Sequence, residues 1–200
     1  MSESNITKNA LAEAMKELMQ EKKFEKISVT DICEKCGMNR KSFYYHFRDK
    51  YDLVNWIFYV GFMDHINPQD YAEEGNQSTG KPFLLAEEAL KYFYNERAFY
   101  KKALMIEGQN SFLDYFHDAV EPIFQYFLSD VLGGEKYSDF FAMMICDAFV
   151  SGLVRWLESE EPEEPSVLFS GIQKMMFRVA KKLTEASEVV ENNKNHEDLK

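Results

Sequence analysis

The stretch Asp31–Tyr51, D-I-C-E-K-C-G-M-N-R-K-S-F-Y-Y-H-F-R-D-K-Y, constrains this chain more than any other. Ser28 can cap a short helix over Val29–Lys35, with Asp31 three residues on as a box-like partner. Gly37 ends that helix, since glycine accepts the left-handed conformation a helix terminus needs. Asn39 can cap a second short helix over 40–46, and Asp49 a longer one over about 50–66. Phe43 and Phe47, four residues apart, face inward together. Asn39, Arg40, Lys41, Ser42, Tyr44, Tyr45 and His46 are then presented outward.

The remainder also reads as helix, because no segment alternates with period two for long and Gly and Pro are sparse. Residues 5–21 carry an apolar stripe of Ile6, Ala10, Leu11, Ala14, Met15 and Leu18. Residues 67–82, with two prolines, two glycines and polar filler, read as a flexible loop. Helices follow over about 83–94, 96–106, 111–132, 136–159 and 165–184, and Pro122 predicts a kink or break in the third of these. The expected organisation is all-α. A helix-turn-helix domain spans 5–65, a helical regulatory and dimerisation domain spans 66–184, and a polar tail spans 185–200. No internal repeat is present.

Net charge is −11, which at first argues against a polyanionic partner. Its distribution reverses that. Residues 1–60 hold ten Lys/Arg against nine Asp/Glu, whereas residues 61–200 hold thirteen against twenty-five. Residues 35–50 set Lys35, Arg40, Lys41, Arg48 and Lys50 against Asp49 alone. Charge is screened over about 8–10 Å at cellular salt, so a local basic patch on an acidic body can still bind phosphate. The acidic remainder would fix which end docks.

A helix-turn-helix needs one helix across the DNA backbone, a tight turn, and a second helix with its side chains against base edges in the major groove. Residues 28–47 supply all three. Arg40 and Lys41 can donate to guanine or phosphate, Asn39 and Ser42 can reach bases or phosphates, and Tyr44 and Tyr45 offer hydroxyls and ring faces. His46 packs against phosphate or the domain edge. Thr30 and Lys50, in first turns of the flanking helices, could clamp the backbone.

The run V-T-D-I-C-E-K-C-G-M-N-R-K-S-F-Y-Y-H-F-R-D-K-Y-D-L-V resembles the DNA-binding signature of the TetR/AcrR transcriptional regulators. The matching positions are Ile32, Gly37, Phe43, Tyr44, His46, Phe47, Lys50 and Leu53. Cys33 and Cys36 stand at two alanine positions of the pattern, and Lys41 stands where relatives often have glycine. The resemblance covers about residues 6–65; beyond it only the layout of long helices matches. G-Q-N-S-F at 108–112 is similar to a smaller subgroup that includes regulators of dihydroxyacetone kinase operons, some of which answer to a protein partner. The resemblance implies a homodimer on a double-stranded DNA operator, controlled by a small effector or a protein co-regulator, with repression as the usual output.

Residue by residue, plainer readings compete. C-E-K-C at 33–36 invites zinc or redox chemistry, but zinc needs four ligands, and His65, His117 and His196 lack ligand spacing. Buried structural thiols are the expectation, with no metal and no cofactor. Aromatics at helical spacing are core by default. A cavity among these helices would be lined by Trp56, Phe93, Tyr100, Phe116 and Phe149. One recognition helix reads too few bases, so a two-fold dimer is expected, joined through the last two long helices. Its seam is placed at Ala142, Ile145, Phe149, Leu153, Phe169, Ile172, Met176 and Val179. Arg155 is expected to pair with Asp147 or Glu158. No signal peptide or apolar run of about 18 residues is found, so a cytoplasmic chain without a membrane partner is expected. No phosphate loop or nucleophile elbow suggests an enzyme. A helical small-molecule-binding protein without DNA activity is the alternative.

Overall fold

The computed structural model describes residues 3–63, 81–108, 111–131, 139–178 and 181–182. Every regular element among them is helical. α1 spans Glu3–Glu21, a 3-10 turn Phe24–Lys26, α2 Val29–Lys35, α3 Arg40–His46 and α4 Lys50–Phe58, which continues as a π-helical turn over Tyr59–Met63. α5 spans Lys81–Asn95, α6 Arg97–Ala103, α7 Phe112–Val131 and α8 Asp139–Glu158. α9 covers 165–178. The chain forms two compact units, Met1–Pro162 and Glu163–Lys200, so α9 lies in the second. None of the helices described is long and apolar enough to cross a membrane.

The short helices α2 and α3, seven residues each, are too short to be stable alone and take their stability from caps and packing. Ser28 and Asp31 form the capping box at α2: Ser28 Oγ accepts from the Asp31 amide at 3.1 Å, and Asp31 Oδ2 accepts from the Ser28 amide at 2.7 Å. At its other end Gly37 has φ +68°, Met38 N–H donates to Cys33 O at 2.8 Å, and Gly37 N–H donates to Glu34 O at 3.3 Å. That is the paired closure of a Schellman turn, and it requires a residue without Cβ strain. Asn39 Oδ1 caps α3 on the Ser42 amide at 2.9 Å, and Asp49 Oδ1 caps α4 on Tyr51 and Asp52 at 2.9 and 2.8 Å.

The core of the first unit is continuous from α1 through α7. Leu11, Met15, Met19, Ile32, Phe43 and Leu53 are completely or almost completely buried. Ile6, expected on the same stripe, is exposed. Toward its C-terminal end α4 enters an aromatic cluster. Phe58 lies 5.2 Å from Phe62, 5.7 Å from Phe112 and 5.2 Å from Phe116, and Phe93 lies 4.9 Å from Tyr100, all between ring centroids. Edge-on and tilted pairs dominate, the arrangement the ring quadrupole favours.

Several boundaries differ from the sequence expectation. The helix expected over about 50–66 is α-helical only to Phe58 and then widens into the π turn, where Gly61 meets Tyr92. α7 runs through Pro122 without a break. A proline removes one helical hydrogen bond, which a twenty-residue helix with strong side packing tolerates. α6 is shorter than expected, ending at Ala103. Of the loop expected over 67–82, Lys81 and Pro82 already belong to α5, while 67–80 and the tail at 185–200 lie outside the described residues.

A Cβ at Gly61 would come 2.1 Å from the Tyr92 hydroxyl oxygen. That hydroxyl is fixed by a 2.8 Å hydrogen bond with Tyr100. Gly61→Ala should therefore destabilise the protein by about 1–3 kcal/mol, the usual cost of overpacking. Adding Tyr92→Phe, which removes the obstructing oxygen, should recover part of that loss in urea unfolding. Full additivity of the two changes would contradict this packing.

Candidate nucleic-acid interface

α3 is held on the core by Phe43, fully buried and 5.8 Å from Phe47 between centroids. Its opposite face is bare. Arg40, Lys41, Tyr44 and Tyr45 are exposed, Tyr45 to 83%. Arg40 Nη2 donates to the Tyr44 hydroxyl at 3.4 Å, and the guanidinium sits 5.7 Å from that ring's centroid. This pair presents a cation and a hydroxyl together in one preformed arrangement. Lys41 Nζ has no hydrogen-bond or ion-pair partner among the described residues. Asn39 and Thr30 are exposed, and Ser42 is half-buried, with its amide taken by the Asn39 cap.

His46 is half-buried, with Tyr45 edge-on at 4.9 Å. Burial, helped by the positive charge of Lys8, lowers its pKa below the usual value. It is thereby disfavoured as a cation. Lys8, which the sequence did not single out, lies 5.6 Å from the Trp56 ring. Its only sequence signal is a cation on the N-terminal helix.

Lys50, expected on phosphate, is engaged within the protein. Its ammonium donates to Phe24 O at 2.8 Å, Ile27 O at 2.9 Å and Glu25 O at 3.3 Å, and lies 4.3 Å from the Phe24 ring centroid. An ammonium has three donors, and all three have acceptors inside the protein. Lys35 is likewise engaged, at 3.1 Å from Glu17 and 2.9 Å from Glu21. The cations of the 35–50 segment that face outward are therefore Arg40, Lys41 and Arg48, the last 3.7 Å from Asp52 and highly exposed. Counting charges along the sequence overstated the patch.

The five aromatics expected around one cavity do not converge. Phe93, Tyr100 and Phe116 are fully buried and touch one another in the cluster around Phe58. Trp56 packs instead on Phe47 at 5.6 Å, in the head. Phe149 packs on Phe124 at 5.0 Å, between α8 and α7. Tyr92 was missed, since a tyrosine among many in an aromatic stretch carries no distinguishing mark. Burial raises its pKa to about 12 and holds that of Tyr100 well above the usual tyrosine value, so both hydroxyls stay protonated and can share the hydrogen bond between them.

The thiols match structural roles. Cys33 and Cys146 are free and buried, and burial raises both pKa values, that of Cys146 to about 11. Cys36 Sγ donates to Ile32 O at 3.2 Å. No group of three or more metal-ligating side chains occurs among the described residues.

Burial divides the residues expected at the dimer seam. Ala142 and Leu153 are buried within the first unit, and Phe149 is half-buried against Phe124. The exposed face of α8 carries Ile145, which belongs to the expected seam, together with Phe140, Met144, Ala148, Ser151 and Gly152. Asp147 pairs with His117 at 2.8 Å, not with Arg155. On α9, Ile172 and Met176 are exposed and Phe169 is half-exposed, while Val179 lies outside the described residues.

Comparison with known proteins places both halves. A family model described as bacterial regulatory proteins, tetR family, matches residues 8–57, and one described as a transcriptional regulator C-terminal region matches residues 81–178. The HTH-type dhaKLM operon transcriptional activator DhaS of Lactococcus lactis subsp. lactis (strain IL1403) is 34% identical over 108 residues, 54% of each chain. The match thus spans about half the length of that relative. Among solved structures, a dihydroxyacetone kinase operon activator DhaS aligns over 88% of this chain and 97% of its own, at 23% identity and TM-score 0.61. NalD of Pseudomonas aeruginosa, described as the secondary repressor of the MexAB-OprM multidrug efflux pump, aligns over 88% and 96%, at 18% identity and TM-score 0.72. These two alignments establish the fold.

The capping box makes a pH prediction. Hydrogen bonds from the Ser28 amide and hydroxyl, and the 3.0 Å pair with Lys22, lower the Asp31 pKa from 3.8 to about 2. A depressed carboxyl contributes stability that is present above its unfolded pKa and is lost as pH falls toward the folded value. Between pH about 4 and about 2 the wild type should therefore lose more thermal stability than Asp31→Asn does, as measured by circular dichroism. Identical pH profiles for the two would contradict this. Ser28→Ala should cost about 0.5–2 kcal/mol at neutral pH.

Proposed function

Since this chain belongs to the TetR family of bacterial regulatory proteins, we propose that it is a dimeric repressor that reads a palindromic operator through α3. The observation that carries this reading is the outward face of α3: Arg40, Lys41, Tyr44 and Tyr45 are exposed on a helix fixed from behind by Phe43. Arg40 and Lys41 contact guanine edges or phosphate; Tyr44 and Tyr45 contact phosphate and thymine methyls; Asn39, Ser42, Thr30 and His46 complete the contact surface. Lys41 fills a position where relatives often have glycine, and it gives this operator a preference of its own.

The proposed division is a DNA-binding domain at 5–65, a regulatory and dimerisation domain at 66–184 and a polar tail at 185–200, in a cytoplasmic protein. A second copy covers the exposed apolar face of α8 and exposed apolar side chains of α9, Ile172 and Met176 among them. A Cβ at Gly152 would meet nothing within 4 Å, so that position on the face is open. A small effector or a protein partner acts by favouring one arrangement of the C-terminal helices, and shifts the population by its differential affinity for the two. The aromatic cluster supports that coupling, because it joins the end of α4 to α5, α6 and α7.

Repression follows from occupancy, since a dimer seated on an operator excludes other proteins from it. The Lactococcus relative is named an activator, so a reporter with and without the protein decides the sign. Arg40→Ala and Lys41→Ala should each weaken specific binding by about 1–3 kcal/mol where the side chain reads a base. Gel-shift titration tests this, and unchanged affinity in both variants would overturn the assignment of α3. Met144→Glu or Gly152→Glu should weaken the dimer at least about tenfold, about 1.4 kcal/mol, in sedimentation. A dimer indifferent to both would place the interface elsewhere.

A further inference from the structure

Lys50 is the first residue of α4, and its side chain reaches back across the domain to residues 24–27. Three carbonyls converge there because the 3-10 turn Phe24–Lys26 curls them to one side. Ile27, whose carbonyl is one of the three, immediately precedes the Ser28 cap of α2. Phe24 is buried, lies beneath the ammonium at 4.3 Å, and stacks edge-on with Tyr51 at 4.9 Å. On the far side of the cap, Asp31 is tied to Lys22 at 3.0 Å, just beyond the end of α1.

We propose that Lys50 is a positioning residue for DNA recognition and not a phosphate contact: its ammonium fastens the start of α4 to the turn that leads into α2, and so fixes the angle at which α2 and α3 meet the groove. The inference rests on the DNA-binding reading above. Two observations support it. All three ammonium donors have carbonyl acceptors, so a phosphate could be reached only by breaking bonds inside the protein. The group is also partly desolvated, and that burial lowers its pKa against the opposing effect of the Glu25 and Asp31 carboxylates. A phosphate-seeking lysine at the surface would keep its ammonium in water until DNA arrives.

The two roles separate under substitution. Lys50→Arg keeps the charge, so a phosphate contact would survive it. A planar guanidinium cannot fill a three-carbonyl cradle built for a compact ammonium. We expect Lys50→Arg and Lys50→Gln both to lose tenfold or more in operator affinity, with a lower melting temperature. The dependence of log affinity on log salt should keep the wild-type slope. If Lys50→Arg binds like wild type while Lys50→Gln loses affinity and about 0.9 of slope, the residue contacts phosphate and the proposal fails. Wild-type affinity in both variants also overturns it.

A measurement on the unaltered protein covers variants that fail to fold. Amine acetylation of the free and operator-bound wild-type dimer, read by mass spectrometry, should find Lys50 slow in both states and Lys41 protected only on DNA. A Lys50 that reacts freely without DNA and is shielded by it overturns the clamp. A wild-type protein that retains no specific DNA would instead overturn the reading beneath it, while slow Lys50 acetylation in that free protein would still support the clamp itself.

Discussion

Helix ends leave backbone carbonyls without partners, and in this protein cations from other elements complete them. Lys102 on α6 donates to Met19 O and Gln20 O at the end of α1, at 2.5 and 3.0 Å. From the same seven-residue helix, Arg97 donates to Leu157 O and Ser159 O, and Lys101 to Glu158 O, at the end of α8. Lys50 does the same for the turn before α2. Charged donors make the stronger class of hydrogen bond, and each also meets the negative end of a helix or turn. α6 thereby ties the reading head to the body, helped by the 2.9 Å pair of Lys16 with Glu96. Motion in the body has a short path to α1.

The sequence exposed its local devices more clearly than its long-range ones. Ser28, Asp31, Gly37, Asn39 and Asp49 act at the positions their chemistry dictates, because caps and left-handed turns depend on a few adjacent residues. Phe43 and Phe47 point inward for the same local reason. α8 was harder. It is apolar on nearly every side, so its periodicity could not distinguish the stripe facing α7 from the stripe facing outward, and Ala142 and Leu153 fell on the wrong one. The role of Lys50 depends on carbonyls 23 to 26 residues away, which no local pattern encodes. The π turn at Tyr59–Met63 arises where α4 must fit Gly61 against Tyr92, again a tertiary contact.

An acidic chain carries a small cationic face. Arg40, Lys41 and Arg48 stand outward on the head, while Glu158, Glu160, Glu161, Glu163 and Glu164 cluster far along the chain. A small cationic face implies modest non-specific affinity, so under the proposed reading discrimination comes from base edges and from two half-sites read together. In the proposed dimer, specificity is then sensitive to the spacing of the two α3 helices, the quantity that the proposed effector would change.

Selection of binding sites from random-sequence DNA tests the central claim most directly. Enrichment of an inverted repeat, with half-sites one helical turn or a multiple apart and retention that falls as salt rises, is the expected result. A pool that stays random after repeated rounds, or retention without sequence preference, would contradict it.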